Sequence, residues 1–188
     1  MRLKKWSSWK KGCLIPALLF VLTLILSGCA AKKERVEGLS PYYPGPQIAV
    51  EPIVARLGIA TLLKTPLRIG GMGFDPGDTV FIDMIGGEGE KSISIPLDSG
   101  DVDLHGGFTV EISQEVKMLE ILRLDIDPTN NKPIIVRSTI PPGAYVLKAE
   151  SVGSDKKAEC VIQFEAPNKM DRFKDWLQVK LRKIKKSR

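Results

Sequence analysis

Leu67-Arg68-Ile69-Gly70-Gly71-Met72-Gly73-Phe74-Asp75-Pro76-Gly77-Asp78-Thr79-Val80 is the stretch that decides the fold. It reads as a tight turn feeding a strand. Gly70, Gly71 and Gly73 permit positive φ or close strand approach. Phe74 is placed to plug a core, and Pro76-Gly77 suits a type II turn, with proline at its second position and glycine at its third. A glycine cluster also invites a phosphate-loop reading. That reading fails here, because no Gly-Lys-Ser/Thr follows and no helix begins.

Outward from this turn the pattern repeats between residues 48 and 166. Thr79-Val80-Phe81-Ile82-Asp83, Lys91-Ser92-Ile93-Ser94-Ile95, Phe108-Thr109-Val110-Glu111-Ile112, Ile134-Ile135-Val136-Arg137 and Tyr145-Val146-Leu147-Lys148-Ala149 read as strands. Pro76-Gly77-Asp78, Gly86-Gly87, Asp98-Ser99-Gly100, Gly106-Gly107, Asn130-Asn131 and Pro141-Pro142-Gly143 read as turns between them. Many short strands with regular turn signals predict an all-β sandwich or barrel. Residues 114–124 stand apart, since Val116, Leu119, Ile121 and Leu122 fit a helical turn as well as a strand.

The order of landmarks resembles bacterial immunoglobulin-like surface domains. Ile48-Ala49-Val50-Glu51-Pro52 matches their opening strand ending in proline, and Gly71-Met72-Gly73-Phe74-Asp75-Pro76-Gly77-Asp78 their Gly-x-Gly-Phe-x-Pro-Gly-Asp/Glu turn. Gly107-Phe108-Thr109-Val110 and Pro142-Gly143-Ala144-Tyr145 follow as a Gly-x-Phe strand and a Pro-x-Gly-x-Tyr strand. The resemblance implies an immunoglobulin-like β-sandwich over residues 48–166. Residues 113–139 are longer than the usual link, and an extra hairpin turning at Asp127-Pro128-Thr129-Asn130-Asn131 accounts for the excess.

Catalytic residue types are sparse. His105 is the one histidine, in a loop, and no Gly-x-Ser-x-Gly elbow accompanies it. Asp98, Asp101 and Asp103 are candidate oxygen ligands for calcium, without the full Asp-x-Asp-x-Asp-Gly spacing or a distal glutamate. Asp125 and Asp127 are expected to be solvated acids. Ala158, Cys160, Ile162 and Phe164 share one parity, so Cys160 is expected as an inert thiol facing the core. No cofactor is expected.

The N-terminus carries an address. Residues 1–12 supply Arg2, Lys4, Lys5, Lys10 and Lys11, and the apolar run from Cys13 to Leu26 is too short for the ~20 residues of a transmembrane helix. Leu26-Ser27-Gly28-Cys29 closes this leader and resembles the lipobox of bacterial lipoproteins. The resemblance implies cleavage of residues 1–28 and attachment of a palmitate-type diacylglyceryl group to Cys29. It also implies residence on the exported side of a cell membrane or outer membrane. Residues 29–47, ending in Pro41-Tyr42-Tyr43-Pro44-Gly45-Pro46, lack hydrophobic periodicity and are expected to form an extended tether. Tyr42 and Tyr43 are expected to pack on the adjoining domain.

The C-terminal residues 167–188 change character. Asn168 suits an N-cap with Asp171 at the third helical position, and Met170, Phe173, Leu177, Leu181 and Ile184 recur at helical spacing over residues 168–186. Trp176 stands beside this stripe, and Lys174, Lys180, Arg182, Lys183, Lys185 and Lys186 fill the remaining surface. Three readings stay open: the stripe docks on its own domain, lies on anionic lipid, or meets a protein partner or anionic wall polymer. Phe173, Trp176, Lys180, Arg182, Lys183, Lys185 and Lys186 are the residues of the second and third readings. The formal charge of +6 does not point to nucleic acid, because residues 29–167 hold fourteen basic against twenty acidic side chains. The expected protein is a lipid-anchored, non-catalytic envelope module, with a complex subunit or assembly factor and an envelope hydrolase as alternatives.

Overall fold

The structure, a computed structural model, describes residues 36–86, 93–130, 132–135, 137–181 and 184–186. The leader, the lipobox with Cys29, and Arg182 and Lys183 lie outside the described residues. Residues Arg35–Arg188 form one compact unit. Its elements in chain order are β1 (Gln47–Glu51), β2 (Val54–Arg56), α1 (Ile59–Leu62), β3 (Arg68–Met72), β4 (Thr79–Gly86), β5 (Ile93–Asp101) and β6 (Phe108–Glu111). Then come α2 (Gln114–Val116), a π-helical turn (Lys117–Ile121), β7 (Leu124–Asp127), β8 (Lys132–Ile135), β9 (Gly143–Ser151), β10 (Lys157–Glu165), α3 (Lys169–Lys180) and β11 (Lys185–Lys186). The described chain is thus rich in β-strands, with few and short helices. No described helix is long and apolar enough to cross a membrane.

The described residues form three sheets, in the orders β1-β3-β6, β2-β10-β9-β4-β5 and β11-β8-β7. Alternation decides which faces are buried. Val80, Ile82 and Met84 of β4, Tyr145, Leu147 and Ala149 of β9, and Ile162 and Phe164 of β10 turn inward. They meet Ile48, Val50, Ile69, Phe108 and Val110 from the first sheet in a single buried cluster. The register aligns Met84, Leu147 and Cys160 in one row across the five-stranded sheet.

That row explains the state of Cys160. β2 pairs with Gln163, Phe164 and Glu165 and does not reach Cys160, which packs against the core and is half-buried rather than fully enclosed. Burial still pushes its thiol up to about 11 from a usual 9.0. At pH 8 that difference leaves about 100-fold less thiolate than an unfolded cysteine has. Iodoacetamide should therefore alkylate Cys160 about 100-fold more slowly in the native protein than in denaturant. Equal rates in the two states would identify a reactive thiol.

The turn at residues 74–78 is built as its sequence requires. Asp78 N–H donates to Asp75 O at 3.2 Å, and Gly77 takes φ +80°. Phe74 is buried and meets Phe108 edge-on at 5.4 Å. Gly71 is glycine because Phe108 lies over it: a Cβ there would come within 2.2 Å of the ring. The turn's acids clamp the β9–β10 loop. Asp78 accepts from the Ser151 hydroxyl and from Gly153 N–H at 3.0 Å, while Lys156 Nζ donates to Asp75 at 2.7 Å. The Ser151 bond holds Asp78, and the Lys156 bond holds Asp75, below the usual carboxylate range.

Several boundaries differ from the sequence expectation. The folded unit takes in residues 36–46, which the sequence assigns to the tether. Val36 is buried over Gly70, and Ser40 N–H and O both bond the Gln47 side chain. These polar ties pin the ends of the loop and leave its tip out, so Tyr42 (94% exposed) and Tyr43 (60%) do not pack on the domain. Residues 114–121 form α2 and the π-helical turn, not a strand, started by Ser113 Oγ accepting from Val116 N–H at 3.2 Å. The hairpin expected near residues 127–131 is present as β7–β8. Asp127 is not solvated there: it is 6% exposed and accepts from Thr129 N–H and Oγ1 and from Asn130 Nδ2 at 2.6 to 2.9 Å.

Candidate membrane or partner interface

α3 begins as its sequence predicts. Asn168 Oδ1 accepts from Asp171 N–H at 2.8 Å, and Asp171 returns the bond by accepting from Asn168 N–H at 3.1 Å. This reciprocal cap satisfies two backbone donors left over at the helix start. The helix ends at Lys180 rather than continuing to residue 186. Beyond it Ile184 is buried at 5% exposure, and Lys185 and Lys186 pair their backbone in parallel with Ile134 and Ile135. The expected rod is cut short because Ile184, the last member of its apolar stripe, is drawn into the domain core.

The docked side of α3 joins Asp171 and Asp175 to Val179, which packs against the core, while Met170, Phe173, Trp176 and Leu181 of or beside the apolar stripe stay outside. α1 has Gly58 at its cap position and no side chain there to receive the helix's first donors. Asp175 supplies acceptors from α3: its carboxylate accepts from Ile59 N–H at 3.1 Å and Ala60 N–H at 2.9 Å. Asp171 accepts from Thr61 Oγ1 at 2.6 Å and is 2% exposed. A Cβ at Gly58 would stand 2.7 Å from Asp171 Cβ, so the missing side chain makes room for this approach. Burial alone would push the Asp171 carboxyl up. The bonds from Thr61 and Asn168 and the charges of Arg56 and Lys174 outweigh it and hold the group below the usual carboxylate range.

With Gln178 and Val179 also half-buried, the docked side is 171, 175, 178 and 179. At about 100° per residue, Met170, Phe173, Trp176, Leu177 and Leu181 centre roughly 150° away. Met170, Phe173, Trp176 and Leu181 are 52 to 59% exposed and Leu177 38%. Phe173 and Trp176 stack with centroids 5.8 Å apart, and Lys180 Nζ lies 4.8 Å from the centre of the Trp176 ring. Phe173, Trp176 and Lys180 thus share one surface. Arg182 and Lys183 fall outside the described residues, and Lys185 and Lys186 belong to β11 instead of the helix.

The calcium candidates are not brought together. Asp98 accepts from Ser99 N–H at 2.8 Å, Asp101 from Thr79 Oγ1 at 3.2 Å, and Asp103 from His105 and Gly107 N–H at 2.9 and 3.0 Å. Asp98 and Asp103 bond backbone within four residues of themselves, and Asp101 bonds across to β4. Among the described residues, no three His, Cys, Asp or Glu side chains group to hold a metal. A cavity of about 560 Å³ between β5 and β7 sets Arg123 and Arg137 beside Glu120 and Asp125, so cations and anions balance there. Sequence reasoning missed Lys117, which is 2% exposed and donates to Thr65 O at 2.8 Å, with burial pulling its amine below the usual lysine range. A single lysine beside Glu115 and Glu120 carries no sequence signal of burial.

No protein-family model matches the chain, and no curated protein matches it. Among solved structures, one similar chain is a tetra-tandem repeat in the extending region of a large adhesion protein. It shares 11% identity at a TM-score of 0.35, over 64% of this chain and 24% of that one. Macromomycin is similar at 11% identity and a TM-score of 0.40, over 64% of this chain and all of that one. Likenesses this weak carry no argument about fold or function.

Proposed function

We propose that this chain is an exported lipoprotein, anchored through Cys29, that displays a non-catalytic immunoglobulin-like β-sandwich at the cell envelope. The observation that carries the reading is Leu26-Ser27-Gly28-Cys29 at the end of a basic-then-apolar leader, seven residues before the buried Val36. Two features favour the sandwich. Sheets β1-β3-β6 and β2-β10-β9-β4-β5 feed one core, and the Tyr145 hydroxyl donates to Pro141 O at 2.8 Å, a tie of the kind that braces immunoglobulin-like corners. The residues with catalytic potential are poorly suited to it: His105 sits in an exposed turn, and the Cys160 thiol stays protonated at neutral pH.

A second reading, a subunit or assembly factor of an envelope complex, is favoured by the outward apolar side of α3. Intact mass of the protein purified from membranes tests the anchor. The expected species starts at Cys29 and carries the added mass of a diacylglyceryl group; an unmodified chain beginning elsewhere would remove the proposal.

A further inference from the structure

We propose that the outward face of α3 seats the domain on an anionic lipid surface, as a second attachment beside the Cys29 lipid. The inference deepens the lipoprotein reading and rests on it for the nearness of the bilayer.

The charge of the face follows from how α3 is docked. Asp171 and Asp175 are the only acids between residues 168 and 188, and both are turned inward to Thr61 and to the start of α1. Among the described residues 168–181, the outward side of the helix therefore presents apolar and cationic side chains: Met170, Phe173, Trp176, Leu177 and Leu181, with Lys169, Lys174 and Lys180 about them. Five of the fifteen exposed large hydrophobic side chains among the described residues come from this one segment. Scattered single residues need no explanation, whereas a contiguous set does. An aromatic pair at the centre with long cationic chains at the rim suits the headgroup boundary. The rings rest at the interface, and lysine stems lie along apolar surface with their ammonium groups at the phosphates. Anionic lipid complements the rim, and each lysine near such a surface strengthens binding severalfold.

The path of the chain keeps the folded unit close to the proposed anchor. Ser40 bonds Gln47 at the start of β1, Gly38 abuts Ala49, and Val36 lies over Gly70, the register partner of Ala49. Traced upstream, the chain thus steps from the level of Gln47 at Ser40 to that of Ala49 at Gly38, and Val36 lies across from it on β3. Glu51 pairs with Arg68 at the start of β3, just beyond α1 and its following turn, and α3 docks on α1. From Val36 to Cys29 there are seven residues, which extend at most ~25 Å. A tether this short keeps the folded unit near lipid and raises the effective concentration of the α3 face there.

Trp176 is the only tryptophan downstream of Cys29, since Trp6 and Trp9 belong to the leader. Processed, lipidated protein in vesicles of brominated lipid therefore gives a clean reading. Phosphatidylglycerol vesicles should quench Trp176 at least about twofold at low salt, with the effect lost on phosphatidylcholine and at high salt. For the lipid-free chain, Phe173→Ser with Leu177→Ser should weaken binding to phosphatidylglycerol vesicles about tenfold or more, with an unchanged circular dichroism spectrum. Anchored protein whose Trp176 is not quenched, or is quenched equally on neutral lipid, overturns the inference while the anchor stands. A chain without lipid at Cys29 that still shows selective quenching on phosphatidylglycerol supports the inference while the anchor reading falls.

Discussion

Cys29→Ser should move the protein from a tightly bound membrane fraction to one that high salt releases. The expectation comes from comparing two attachments. Acyl chains contribute about 0.8 kcal/mol per buried methylene, so two chains of about fourteen methylenes supply on the order of 20 kcal/mol. The face of α3 is far weaker. Its exposed side chains are already half in contact with the protein, and its lysines act through charges that salt screens within about 8 Å at physiological ionic strength. On the proposed anchoring, removing the sulfur nucleophile should abolish the strong lipid attachment and leave the proposed weak, salt-sensitive one to be seen alone. Carbonate extraction and salt washes of membranes expressing the two forms measure both. A Cys29→Ser protein that still resists both would mean that something other than this cysteine holds the chain.

Phe164→Ala should cost about 3–5 kcal/mol of stability, the range for a buried aromatic truncated in a core. Phe164 is 1% exposed, and its strand β10 pairs with β2 on one side and β9 on the other. The ring has little room to be replaced. It meets Tyr145 edge-on at 5.6 Å and 80°, an arrangement worth about 0.5–1.5 kcal/mol beyond area burial. Its backbone stands opposite Ala55 and Gly143, which are too small to fill the void. Urea unfolding should therefore show a lower midpoint with an unchanged slope. Val161→Ala, on the exposed face of the same strand, is the control and should stay within about 0.5 kcal/mol. A Phe164→Ala loss below about 1 kcal/mol would mean that the site collapses around the cavity, and the core assignment would need revision.

Local chemistry made much of this legible. Proline followed by glycine specifies the turn at 75–78 whatever surrounds it, because the φ preferences belong to those residues. Alternation in β4 and β9 specifies which side chains face inward, since a strand has only two faces. Asn168 with Asp171 specifies where α3 starts, because the cap closes within four residues. Val36 was not legible: a lone valine in a charged and proline-bearing segment has no period, and its burial depends on the space over Gly70. Nor was the end of α3, where Ile184 continues the helical stripe in sequence yet leaves the helix to reach the core.

What the sequence determined by itself is therefore the 75–78 turn, the inward faces of β4 and β9, and a C-terminal helix with one apolar and one polar side; its Asp98-Ser99-Gly100 turn is instead part of β5, which pairs with β4 through to Asp101. It left open which side of that helix would be buried. The apolar stripe of Phe173, Trp176 and Leu177 fitted docking on the domain, a lipid surface or a partner alike. Tertiary structure turned the acids inward, because α1 brings bare N–H donors and a glycine cap to the contact, and Asp171 and Asp175 satisfy donors there. Buried donors without acceptors are costly. Where those donors lie is a property of the folded chain, so the outward apolar face, and with it the candidate interface, could be read only after the fold was in hand.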